Sequence, residues 1–437
     1  MTLTGLGGIA EEFRAFVSGL KGSDREQGFT AYVRALQLHL ESLADRHQVA
    51  AVSEELATVL ARELRQPARA LAVLRQGLES APERVGLRAE VARLLKSLGH
   101  LAEAADELRW VIAEDPQQIA TWRELADVFA AMNRPAEAAL ALEPIVALGL
   151  ANELELTAVR MRRARSVTGA LAIFDSAAYE VLEGVSQVDP IADLIGALGE
   201  GLSKLYPPDL ERFGVTARDR INGRASHPVR TLAERTARLF GVSEFDLFLS
   251  RTGYVVGRVE LTDPVAIILP SNMEELKEAE QTFTLARLFS NLGRRLHIVD
   301  KLGPQAVELL LAAAAKNAEP SYVTPLANED SLTTLARRVA KSLSWVRRRG
   351  MEEAALRYAS EGTLSVSEWY VKAHRTASRA AVILADDLAA GIEVLRRYTK
   401  ADDESQKSIG TEAAIRDLTL FWVSDAALDL RRKLGML

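Results

Sequence analysis

Up to about residue 185, apolar residues recur three or four apart in short stretches punctuated by proline and glycine, the pattern of consecutive amphipathic helices. The stretches repeat. Pro82 and Pro116 stand 34 residues apart, each closing a helix, and the segments that begin at Pro67, Leu101 and Pro135 keep the same step. They read Pro-Ala-Arg-Ala, Leu-Ala-Glu-Ala and Pro-Ala-Glu-Ala, and Gly169-Ala170-Leu171-Ala172 is a fainter fourth copy. Small residues recur where paired helices must approach closely: Ala70, Ala104, Ala138 and Ala172 in the second helix of each unit, Ala92 and Ala126 in the first. Upstream, Ile9–Leu20 and Phe29–Ala44 also carry helical spacing and fit a cap or a degenerate unit.

Beyond Asp189 the rhythm changes. Helices are expected over Pro190–Leu205 and Pro228–Leu239, flanking a turn-rich segment, Tyr206–His227. A small β region follows: Phe245–Leu249 alternates, Tyr254–Val256 and Arg258–Leu261 each follow a glycine, and Val265–Leu269 is a short buried run. Helices are then expected from Met273 to about Leu292 and over Pro304–Lys316, Asp330–Arg348, Glu352–Ala359, Val366–Ala389 and Ala413–Leu434. Asp402–Lys407 reads as a polar linker. The fold expected is mainly α: a helical-repeat solenoid over 1–185, then a helix-rich α+β domain with a small sheet over 186–437.

Composition narrows the function. At 437 residues, 48% of them hydrophobic and 26% charged, the chain is long enough for two or three packed domains. A net charge of −6 supplies no general attraction to nucleic acid or anionic membranes. The absence of cysteine excludes disulfides, thiolate metal sites and cysteine nucleophiles. Met1–Gly8 lacks the basic start and apolar run of a secretory signal, and no uncharged apolar stretch approaches twenty residues; a cytoplasmic protein without membrane insertion is expected.

The 34-residue unit resembles the tetratricopeptide repeat family, with Pro116, Trp122, Leu125, Ala126 and Ala138 at the family's positions in one unit. The preceding unit departs from it, with Arg88 where Trp122 stands. The resemblance implies stacked helix pairs with a concave groove for one or more protein partners. Arg88, Arg93, Trp122, Arg123 and Asp127, on the first helices of adjacent units, are the groove candidates. Arg160–Arg165 reads as a solvated basic face, with docking of an acidic partner as the alternative.

Short strands followed by a helix carrying Phe283–Asn291, with a later helix around His374–Ala380, resemble gluzincin metallopeptidases of the CAAX-prenyl-protease type over residues 190–400. That family places two histidines at i and i+4 on the first helix with a glutamate between them, so that they bind zinc and activate its water. Here the aligned positions hold Arg287, Leu288 and Asn291, and His374 stands at the third ligand position. An arginine cannot coordinate a cation and a leucine cannot act as a base. The resemblance therefore implies a peptidase fold with no catalytic residues, no metal and no cofactor, in which Arg287 fills the vacated cavity by pairing with a carboxylate.

The six histidines are scattered without metal-ligand spacing, and phosphate-binding loops and nucleophile elbows are absent. Arg337, Arg338, Lys341 and Arg347–Arg349 form a basic helix face beside Trp345, read as solvated; nucleic acid is disfavoured by the overall charge. These observations point to a non-enzymatic adaptor or scaffold. The alternatives are a hydrolase using His374, Asp386 and Asp387, and a self-assembling structural subunit.

Overall fold

In the computed structural model, residues 12–165, 173–184, 189–199, 201–223, 227–361, 365–401 and 407–437 are described. The fourth repeat copy at 169–172, the Met1–Gly8 segment and most of the Asp402–Lys407 linker lie outside them. Internal contacts divide the chain into two compact units, Met1–Ile145 and Val146–Leu437.

The first unit is a run of antiparallel helices. A helical segment over 12–19 precedes α1 (Gly22–Ser42) and α2 (Arg46–Thr58), which runs on through a π-helical turn, Val59–Glu63. Then come α3 (Pro67–Ser80), α4 (Val85–Ser97), α5 (Leu101–Glu114), α6 (Ile119–Ala131) and α7 (Pro135–Ala147). The 34-residue step survives in the starts of α3, α5 and α7 and of α4 and α6. Pro67 and Pro135 open their helices, where the missing N–H costs nothing. Ala70, Ala104 and Ala92 are wholly buried, so the chain has no room for larger side chains there. Gly77 makes a close approach between helices: a Cβ there would lie 2.8 Å from the Ser53 Cβ of α2.

The second unit begins ahead of residue 185, because α8 (Glu153–Arg165) is tied into it. Buried Arg162 binds Asp386 at 2.7 Å and 2.9 Å, and Arg163 pairs with Asp387 at 2.5 Å. The basic Arg160–Arg165 run is thus in part an internal clamp and not a solvated face. The unit continues through α9 (Ser176–Glu183), α10 (Pro190–Leu198), α11 (Gly201–Leu205), α12 (Pro228–Leu239), α13 (Glu278–Gly293), α14 (Pro304–Ala318), α15 (Glu329–Ser342), α16 (Trp345–Ser360), α17 (Val366–Ala385), α18 (Leu388–Tyr398), α19 (Glu412–Trp422) and α20 (Asp425–Lys433).

A three-stranded sheet lies between α12 and α13: β1 (Asp246–Leu249), β2 (Arg258–Glu260) and β3 (Ala266–Leu269), in the order β1-β3-β2. β3 pairs parallel with β1 (Leu247 opposite Ile267) and antiparallel with β2 (Val259 opposite Ile267). All four β3 residues are buried, which is why its sequence is continuously apolar and does not alternate.

Six expectations need correction. Tyr254–Val256 forms no strand. The helix expected from Met273 begins at Glu278, after a 3-10 turn over Met273–Glu275. Pro190–Leu205 breaks at Gly199, whose φ is +35°. Asp330–Arg348, Val366–Ala389 and Ala413–Leu434 each break at a polar residue that starts a new helix: Ser344, Asp387 and Ser424. Asp387 and Ser424 accept from the amides of Ala390 and Ala427, so each satisfies a donor that the new helix leaves unpaired.

Candidate functional site

The groove candidates are mostly committed to the array's own structure. Trp122 is fully buried, and its indole Nε1 donates to the Pro116 carbonyl at 2.8 Å. It belongs to the core and offers no surface to a partner. Arg88, at the same position one repeat earlier, reproduces that bond: its Nε donates to the Pro82 carbonyl at 3.1 Å. The remaining guanidinium pairs with Glu107 at 2.8 Å and lies 4.1 Å from the Trp110 ring centroid. The departure from the family pattern therefore keeps the donor and changes only its carrier. Arg93 reaches Glu124 at 3.1 Å and Lys96 reaches Asp127 at 3.2 Å, tying α4 to α6. Arg93, Arg123 and Asp127 are exposed, and they are the members of the set that a partner can touch.

The second unit is organised around α13, whose residues 282–291 are all buried although Thr282, Thr284, Arg287, Ser290 and Asn291 are polar. Buried polar groups must find partners. Thr284 Oγ1 donates to the Glu280 carbonyl at 2.9 Å, and Ser290 Oγ meets the Tyr179 hydroxyl at 3.0 Å. Arg287 and Asn291, one turn apart, face α17 and the 3-10 turn His297–Asp300. Arg287 Nη2 bonds His374 Nδ1 at 2.9 Å, and Asn291 Nδ2 donates to Asp300 Oδ2 at 2.9 Å. Asp300 Oδ1 lies 3.9 Å from His374 Nδ1. The Arg287 guanidinium stands 4.6 Å from the Tyr398 ring centroid, and the Tyr370 ring packs edge-on against His374 at 4.5 Å. The structure thus brings Arg287, Asn291 and His374 together. Leu288 is buried as well, against Gly257, where a Cβ would lie 2.8 Å from its Cδ1.

An arginine cannot be neutralised, so its burial must be offset. Burial pushes the Asp300 carboxyl up to about 6, with Arg287, the Asn291 hydrogen bond and Arg258 acting against the rise. Asp300 is therefore largely ionised at neutral pH and supplies the counter-charge. Burial, then the Arg287 charge, hold His374 well below its ordinary value. A neutral imidazole accepting from Arg287 at Nδ1 carries its proton on Nε2. That Nε2, with Arg287 Nε and Nη1 and Asn291 Oδ1, is buried without a hydrogen-bond partner. His374 also lines a pocket of about 130 Å³ against α19, walled by Tyr370, Val371, Ile409 and Ala414, with Arg375 and Asp417 at its polar side. Asp417 is held by a two-point ion pair with Arg379, at 2.7 Å and 3.0 Å.

Among the described residues, no three His, Asp or Glu side chains are grouped to hold a metal ion. Nor do His374, Asp386 and Asp387 converge. His374 and Asp386 are twelve positions apart along α17 and its C-cap, about 18 Å at the helical rise. Asp386 and Asp387 are engaged by Arg162 and Arg163. The reading of the sequence missed Asp300, Tyr370 and Tyr398. Asp300 had one signal, a lone acid closing Leu296-His297-Ile298-Val299, and Tyr370 another, one turn before His374 on α17; Tyr398, on a different helix, had none.

No family model and no curated protein matches the chain. Among solved structures, a chain of "Structure of Naa15/Naa10 bound to HypK-THB" matches at 14% identity with a TM-score of 0.23, over 97% of this chain and 53% of that one. This chain spans about half the length of that neighbour, and a likeness so distant carries no argument.

Proposed function

We propose that the protein is a non-catalytic scaffold whose second unit is a peptidase-like fold with its metal site replaced by an arginine. One observation carries this reading: the wholly buried Arg287, hydrogen-bonded to His374 and one turn from Asn291 on the helix that follows β3. A fixed positive charge at that point opposes a metal cation, and Leu288 stands where the family's general base would. The repeated helix pairs of the first unit present an exposed, charged face for protein partners, with Arg93, Arg123 and Asp127 on it.

The test is affinity capture from the native host with the full chain, in parallel with an Arg123→Ser/Asp127→Ser variant of unchanged melting temperature. A specific protein held by the parent and lost by the variant supports scaffolding. Equal capture by both assigns recognition elsewhere. The peptidase ancestry has its own test: Arg287→His/Asn291→His creates a three-histidine set with His374, and zinc should bind it near one per chain and raise the melting temperature. A folded variant that ignores zinc overturns that part.

A further inference from the structure

The first turns of α16 are not packed. Trp345 is 76% exposed and Val346 71%, and every residue from Ser344 to Gly350 is exposed except half-buried Arg348; burial resumes at Met351. An apolar pair this bare normally signals a surface that something covers. Its surroundings are mainly cationic, with Glu353 one turn on, 3.6 Å from Arg349. Between Ser331 and Met351 stand Arg337, Arg338, Lys341, Arg347, Arg348 and Arg349, with no aspartate or glutamate, in a chain of net charge −6. Arg348 Nη2 donates to the Ala340 carbonyl at 2.6 Å, tying the start of α16 to α15. Arg337, Arg338 and Lys341, exposed on the last turns of α15, therefore flank the tip.

We propose that this α15–α16 corner docks the protein on an anionic phospholipid surface, with Trp345 and Val346 entering the headgroup region and the arginines and Lys341 meeting lipid phosphates. Tryptophan favours that depth, and each basic residue near an anionic leaflet strengthens attachment. Three features favour a bilayer over other anionic partners. The apolar pair is bare and bordered by cations, so one surface must offer apolar depth and negative charge together, as a headgroup region does. Val346 offers nothing for a nucleic-acid base to stack on. The cations flank the tip from two helices, as a planar, deformable surface demands. Among the described residues no helix is long and apolar enough to cross a membrane, so attachment here is peripheral.

The full chain is floated with vesicles of phosphatidylcholine alone and of phosphatidylcholine mixed with phosphatidylserine. The expected result is binding to the mixed vesicles only, weakened by salt. Trp345 is the one strongly exposed tryptophan of five, so its emission should shift to the blue on binding and the Trp345→Phe variant should lose that shift. Trp345→Ser/Val346→Ser should weaken binding by about tenfold or more, and Arg337→Gln/Lys341→Gln/Arg349→Gln by roughly a hundredfold. All five positions are exposed, and an unchanged melting curve checks that each variant is folded. The proposal is overturned by no association with mixed vesicles, by undiminished association of both variants, by preferential binding to single- or double-stranded nucleic acid lost in the same variants, or by self-association that Trp345→Ser/Val346→Ser abolishes.

Discussion

The two units handle their basic residues in opposite ways. In the array, arginines and lysines lie on the surface and pair from one helix to the next: Arg88 with Glu107, Arg93 with Glu124, Lys96 with Asp127. Among the described residues its interior is aliphatic and aromatic apart from Ser53, Thr121 and two glutamates near its end, Glu137 and Glu143, and no arginine or lysine is buried there. In the second unit the central helix buries Arg287, Ser290 and Asn291, and its neighbours supply Asp300, His374 and Tyr398. Exposed pairs contribute little to stability and stay free to change, whereas a buried charge is costly unless every partner is in place. The difference teaches where each unit stores its specificity: the array in repeated shape, the second unit in one polar centre.

The sharpest way to break the comparison is to remove a partner from that centre. Asp300→Asn leaves Arg287 buried without its counter-charge and should cost about 3–5 kcal/mol in urea unfolding at neutral pH. Arg287→Met alone should also destabilise, because it strands Asp300. The double variant should lose clearly less than the sum of the two, since removing both charges leaves neither unpaired. Strict additivity would mean that the two groups do not compensate each other.

The array should break by shape. Trp122→Ala empties a fully buried site and should cost about 3–5 kcal/mol, whereas Arg88→Ala, at the same repeat position but half-buried, should cost about 1–2 kcal/mol. Equal losses would show that the hydrogen bonds to the Pro116 and Pro82 carbonyls, and not the packing, set the value of this position.

These two sites also show what the sequence made legible. A period repeated in the chain announces itself, so the array's helices, its small-residue contacts and the kinship of Arg88 with Trp122 could be read directly. The i, i+4 spacing of Arg287 and Asn291 could be read as well, because it lies within one helix. Tyr370 stands one turn before His374 on α17 and was legible in the same way, whereas Asp300 and Tyr398 reach the centre from other elements, and only tertiary packing relates them. Helix ends were misjudged for a local reason. Ser344, Asp387 and Ser424 sit inside stretches whose apolar rhythm continues past them, so periodicity hid breaks that the capping residues marked. Of the groove candidates Trp122 needs correction, because a family position is not by itself a contact surface, and Trp122 is the packing on which the repeat depends.

Acid should separate the units further. Burial lowers His297 to about 4 from its ordinary 6.5. An unfolded chain therefore takes up that proton first, and the stability from His297 is full above 6.5 and lost as pH falls from 6.5 toward 4. Asp300 works in the other direction: its raised value near 6 lets the folded state bind the proton first, which offsets part of the loss between 6 and the unfolded carboxylate range. His297→Gln should recover about 1 kcal/mol near pH 5, measured by urea unfolding, a figure reduced because part of the ring meets solvent. An identical pH profile in the variant would show that the ring titrates normally.

The smallest effect is expected where the array meets solvent. Arg93 is half exposed and shared between Glu90 and Glu124, and the Lys96–Asp127 pair is looser still. Arg93→Ala/Lys96→Ala should therefore change unfolding free energy by less than about 1 kcal/mol, and salt should erase even that. If this face recognises a protein, the same variant should lose a partner captured by the parent, because a bound surface excludes the water that screens these charges. A large loss of stability with unchanged capture would reverse the assignment: the charged ladder would then hold the helices together, and the surface for partners would have to be sought elsewhere.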